Sequence, residues 1–150
     1  NSNPFTPAIN LYFALEASLT MMQKEGLNSI FSRHARHQKA TQEGIKAMGL
    51  NLFTKESFGS PAITAVEPEN IDAETIRKVI KNDFDILLAG GQDHLKGKIF
   101  RIGHLGFVND RDIISVISAL ESTLNKLGTL NVPIGQGIAK TISVLNNELY

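Results

Sequence analysis

The stretch that decides the fold is Ile86-Leu87-Leu88-Ala89-Gly90-Gly91-Gln92-Asp93-His94-Leu95-Lys96-Gly97-Lys98-Ile99-Phe100-Arg101-Ile102-Gly103. Ile86–Ala89 and Ile99–Gly103 are short apolar runs of strand length, and the polar, glycine-bearing Gly90–Lys98 connects them as in a hairpin. Working outward, Ala62–Val66 is a third strand candidate, set off by the turn Gly59-Ser60-Pro61. Leu50–Phe53 alternates as a half-buried strand does. Between these strands, Asp72 is a good N-cap for a helix carrying Ile76, Val79 and Ile80 and closing at Asn82-Asp83. On the other side, Asp110 can cap a helix bearing Ile113, Ile114, Ile117, Leu120 and Leu124, with its stop at Gly128. Residues 129–137 read as a linker, and Ile138, Ile142, Leu145 and Leu149 as the face of a last helix.

The N-terminal third is helical. Leu11, Leu15, Ser18, Leu19 and Met22 recur at three- and four-residue spacing on a helix from Asn10 to near Gly26, and form a packing face. A second helix runs from Leu27 to Met48 with Gly49 as its stop. Its face of Ile30, His34, His37, Thr41, Ile45 and Met48 is less apolar, so partial exposure is expected. Gly44 weakens its last turn, by about 1 kcal/mol relative to alanine. Helices and strands in this order make an α+β fold, a two-layer domain with a mostly antiparallel sheet and helices on one face. Residues 1–127 form the domain, and 128–150 a linker with a C-terminal helix.

Apolar residues at 42% and charged residues at 20% are the balance of a soluble globular chain. Fifteen basic residues face fifteen acidic ones, so the basic surplus of nucleic-acid binders is missing. No stretch reaches the ~20 apolar residues of a membrane span. With no cysteine, a thiol nucleophile and Cys-ligated metal are excluded, and a reducing, cytoplasmic location fits. The chain starts at Asn1 rather than Met, as a piece of something longer would.

Arg101 is the first candidate for chemistry. Its neighbours Ile99, Phe100, Ile102 and Leu105 are apolar, and a charge among them is costly to bury unpaired. Facing a cleft, its guanidinium fork suits a carboxylate. Facing outward, it is an ordinary alternating strand residue. Gly90-Gly91 with Gly97 could expose backbone N–H groups to anions, or simply serve the hairpin. His34 and His37 lie three apart on one helical face, but no acidic partner has matching spacing, and His94 and His104 come from elsewhere. No metal site is expected.

Two segments resemble a known family. Phe5-Thr6-Pro7-Ala8-Ile9-Asn10-Leu11-Tyr12-Phe13-Ala14-Leu15-Glu16-Ala17-Ser18-Leu19, continued by Glu25-Gly26-Leu27 and Arg33-His34, is similar to the passage from large to small domain in class V aminotransferases. Leu88–Gly106 looks like their C-terminal hallmark: a glycine pair, then an arginine before Ile-Gly-x-x-Gly. The family includes alanine-glyoxylate and serine-pyruvate aminotransferases. Some cyanobacterial members carry the name of a soluble hydrogenase small subunit, and the sequence is similar to that branch.

The resemblance implies the C-terminal small domain of a homodimeric fold type I enzyme. In such enzymes a large domain of the same chain holds pyridoxal 5'-phosphate on a lysine, and amino-acid and 2-oxo-acid substrates bind beneath the small domain. It implies that Arg101 binds the substrate carboxylate, that Thr6 reaches the cofactor phosphate of the neighbouring subunit, and that Gly90 and Gly91 lie near the mouth of the site. Many members have a phosphate-touching tyrosine shortly before that threonine, where Asn3, Pro4 and Phe5 stand here. The family's cofactor lysine and the acidic partner of the pyridine nitrogen lie in the large domain. Neither context is found among the ten lysines here, so this segment alone is expected to be inactive. The alternatives from other classes are a stand-alone binding or interaction module and a subunit of a hydrogenase complex.

Overall fold

A computed structural model describes residues 4–147. These fall into two compact units that divide between Arg33 and His34.

The first unit holds α1 (Ile9–Glu25) and the start of α2 (Leu27–Ala47), joined at Gly26, whose φ of 85° needs a residue without a Cβ. No residue of α1 is buried. Its expected packing face is exposed in this chain, with Leu11 at 70% and Leu15 at 54%. A fork-to-fork pair of Arg33 and Glu25, with Nε to Oε1 at 2.6 Å, ties the two helices together. Asn3 lies outside the described residues.

The second unit is built on an antiparallel sheet of four strands in the order β1-β2-β4-β3. The strands are β1 (Asn51–Leu52), β2 (Ile63–Glu67), β3 (Ala89–Gly90) and β4 (Phe100–Gly103). The central pair is long enough to show strict alternation. Thr64, Val66, Phe100 and Ile102 are buried, whereas Ile63, Ala65, Arg101 and Gly103 face the other way. The buried face meets Ile76 and Ile80 of α3 (Ala73–Phe84) and Ile113, Ile117 and Leu120 of α4 (Asp110–Lys126) in one core. Each such side chain stabilises the fold by about 1.5–3 kcal/mol through loss of water contact. The α+β, two-layer reading of the sequence holds.

Three details differ from the sequence reading. The N-cap of α4 is Asn109, not Asp110. Asn109 accepts the Arg111 and Asp112 N–H groups, and Asp112 returns a bond to the Asn109 N–H at 2.9 Å, a complete capping box. Asp110 is instead the first helical residue, drawn away to side chains of α2. The buried face of α5 (Gln136–Asn147) is Gly137, Thr141, Val144 and Leu145. Ile142, expected on that face, is 38% exposed, and Leu149 lies outside the described residues. The strand expected at Ile86–Ala89 pairs only at Ala89 and Gly90.

Gly44 has a packing reason. A Cβ there would lie 2.2 Å from Thr141 Oγ1, and one on Gly137 would lie 2.5 Å from Met48 Cγ. The two glycines let α2 and α5 approach closely, and the Thr141 hydroxyl donates to the Ala40 carbonyl. The gain in contact offsets the ~1 kcal/mol helix cost of Gly44.

Candidate functional site

Arg101 lies on the open face of the sheet, opposite the helices. Its directly paired cross-strand neighbours are both small, Ala65 on β2 and Ala89 on β3. The half-buried side chain donates from Nε to the Gly90 carbonyl oxygen at 3.0 Å. Among the described residues no carboxylate pairs with it. The Nη1 and Nη2 donors, the edge that binds a carboxylate side-on, are not engaged within the unit.

Gly90 ends β3 and Gly91 begins the connection to β4, which includes a 3-10 turn at Asp93–Leu95. Gly91 has a steric reason to be glycine, whereas a side chain at Gly90 would displace only the ends of two flexible side chains. A Cβ on Gly90 would stand 2.7 Å from Arg77 Nη1 and 2.8 Å from Glu74 Oε1. On Gly91 it would meet the Leu95 carbonyl oxygen at 2.0 Å. The Gly91 N–H is used by the Ile99 carbonyl, so it is not presented to an anion.

The histidines separate by partner. His34 Nε2 accepts from the Gly106 N–H at 3.2 Å, whereas buried His37 places Nε2 2.8 Å from Asp110 Oδ1. Arg36 grips both oxygens of Asp110 at 2.7 and 2.8 Å and reaches the Leu145 carbonyl. Burial pushes the Asp110 carboxyl up, but the hydrogen bonds from Arg36 and His37 outweigh it and hold it below its usual value. His104 is fully buried; Nδ1 lies 3.0 Å from the Pro61 carbonyl and Nε2 2.9 Å from the Thr64 hydroxyl. A carbonyl only accepts, so Nδ1 carries the proton and Nε2 accepts from Thr64. Burial pushes this ring down to about 4. His94 is exposed in the 3-10 turn. Among the described residues, no three acidic or histidine side chains gather as metal ligands.

Sequence reasoning missed the Arg36–Asp110–His37 cluster and the buried Glu121. Glu121 accepts the Gly137 N–H at 2.8 Å, at the start of α5, where a helix favours negative charge. Their partners are distant in sequence, so no local signal marks them.

Thr6 belongs to the first unit, just before α1, and is exposed. No hydrogen bond occupies its hydroxyl among the described residues. A cleft of about 830 Å³ lies elsewhere, between Asn51, Glu69, Asp72, Lys96 and Lys98. It is wide open, and three of its polar side chains are engaged with the fold. Asn51 donates to Glu69, and Asp72 caps α3. No helix among the described residues is long and apolar enough to cross a membrane.

An α+β domain of this build is found within solved aminotransferases. The pyridoxamine-pyruvate aminotransferase of Mesorhizobium loti superposes with a TM-score of 0.91 at 30% identity, covering 99% of this chain and 38% of that one. The serine-glyoxylate aminotransferase of Arabidopsis thaliana is 36% identical over 97% of this chain and 37% of its own length. A protein named soluble hydrogenase, small subunit, of a Synechococcus strain is 56% identical over 97% of this chain and 38% of its own. No family model matches. The chain's homologues are class V aminotransferases, and it corresponds to their C-terminal domain. It spans well under half the length of the relatives it matches.

Proposed function

We propose that this segment closes the active site of a pyridoxal 5'-phosphate-dependent transaminase that moves the amino group of alanine or serine to glyoxylate or pyruvate. Arg101 carries the reading. It is a guanidinium with its Nε satisfied and its fork open, among alanines, on the face away from the core. In this role Arg101 binds the substrate α-carboxylate through Nη1 and Nη2. Fixing the carboxylate fixes the orientation of the Cα–H bond, and orientation lowers the barrier by several kcal/mol.

The chain's own residues fit the cofactor at one point. The Thr6 hydroxyl is exposed and suited to donate to a phosphate, in our reading that of the neighbouring subunit of a homodimer. All ten lysines are exposed, which supports a cofactor lysine in a large domain of the same chain. When bound, the cofactor supplies the electron sink at the substrate Cα. Gly90 and Gly91 stand near the mouth of the site. We assign residues 1–127 to the closing domain and 128–150 to a linker and helix docked on α4, and we place the enzyme in the cytoplasm. The hydrogenase reading rests on the names of relatives. This segment has no cysteine, so any thiolate-bound iron–sulfur cluster would lie outside it.

The test is the absorption spectrum of the full-length protein. A yellow protein whose band shifts with L-alanine and returns with glyoxylate would establish the transaminase; a colourless one overturns it. In that enzyme, Arg101→Ala should lower kcat/KM for amino donors by roughly a hundredfold or more, the loss of a charge-assisted bidentate pair. Lysine should replace it poorly, having no planar fork. Near-normal turnover of Arg101→Ala would remove the assignment.

A further inference from the structure

We propose that Arg77, on α3 beneath the sheet, is a positioning residue that aims the Arg101 guanidinium through strand β3. The proposal rests on the reading of Arg101 as the carboxylate ligand.

A guanidinium is planar, so fixing Nε fixes the direction in which its fork points. Here Nε is fixed by one atom, the Gly90 carbonyl oxygen. That carbonyl belongs to an edge strand only two residues long, held to β4 by the pairs Ala89↔Arg101 and Gly90↔Phe100. So short a strand is weakly fixed by its own ladder.

Arg77 supplies what the ladder lacks. Its Nε donates to the Leu88 carbonyl at 2.8 Å, one residue before β3, and its Nη1 pairs with Glu74 one turn earlier on α3. The same Nη1 and Glu74 Oε1 lie over the Gly90 Cα, where a Cβ would press on the ends of both side chains. Gly90 pairs with Phe100, whose side chain is in the core, so this contact is on the helical side of the sheet. Arg101 approaches from the other side. The strand is therefore gripped from α3 at Leu88 and Gly90 while its Gly90 carbonyl sets the fork of Arg101.

The experiment uses the full-length protein and two probes, L-alanine and ethylamine, which share an amino group but differ in the carboxylate. Affinity for each is read from the absorption change of the bound cofactor, and melting temperature is recorded for every variant. Arg101→Met should weaken L-alanine and leave ethylamine unchanged. Arg77→Met should do the same to a lesser degree, roughly tenfold, as expected when a binding group is misplaced rather than removed. Equal weakening of both probes by Arg77→Met, or of neither, with Arg101→Met still selective, overturns the role of Arg77 and leaves Arg101 standing. An unselective Arg101→Met overturns both. Should Arg77→Met fail to fold, Glu74→Gln, which loosens Arg77 without removing it, decides by the same selectivity.

Discussion

Helices α1 and α4 are each seventeen residues long, yet α4 buries eight of them and α1 none. Apolar content does not explain the contrast, because α1 carries Leu11, Phe13, Leu15, Leu19 and Met22. What differs is specification. The start of α4 is fixed by the Asn109–Asp112 capping box, whereas Ala8 gives α1 no side-chain cap. The apolar face of α4 meets α3, α5 and the sheet. An apolar helix face thus records that a covering surface is needed, not that the same segment supplies it.

The contrast can be broken most forcefully in the core. Phe100→Ala should destabilise the 150-residue chain by about 3–5 kcal/mol in denaturant unfolding. A loss under about 1 kcal/mol would mean that the second unit is not organised around the β2–β4 face. The next effect is set by pH. His104 holds a proton only near pH 4 when folded, against an ordinary 6.5, so the unfolded chain binds the proton first. Its contribution is complete above about pH 6.5 and is lost as pH falls towards 4, by about 3 kcal/mol. His104→Gln should flatten that part of the profile, and an unchanged slope would locate the acid sensitivity in another group. The smallest effect belongs to α1. Leu15→Ala should alter the stability of this chain by less than about 0.5 kcal/mol, the usual range for exposed positions. A loss above about 2 kcal/mol would show that α1 is buried in solution.

The elements legible in the sequence are those whose causes are local. Asp72 caps α3 as its position implies, because its carboxylate needs only Thr75, three residues on. The alternation of Phe100, Arg101 and Ile102 is equally local, and in the strand it puts the arginine on the face opposite the core. Asp110 misled because aspartate caps helices as well as asparagine does. Its fate was set by Arg36 and His37, more than seventy residues away. On α5 Leu145 is buried as expected, but Ile142 was misread because counting apolar residues passes over Gly137 and Thr141, which are buried for closeness and a hydrogen bond rather than for hydrophobicity. Likewise, the sequence presents an arginine and a glycine pair eleven residues apart, but not the bond between them, which depends on the register of β3 on β4.

That bond joins a side chain to the main chain, and the difference matters for inheritance. An acceptor built from aspartate or asparagine can be erased by a single base change. The oxygen of residue 90 is present whatever amino acid is encoded there. Mutation can tilt this acceptor by shifting the strand, but it cannot delete it. The orientation of Arg101 is in that sense written into the path of the chain rather than into its alphabet.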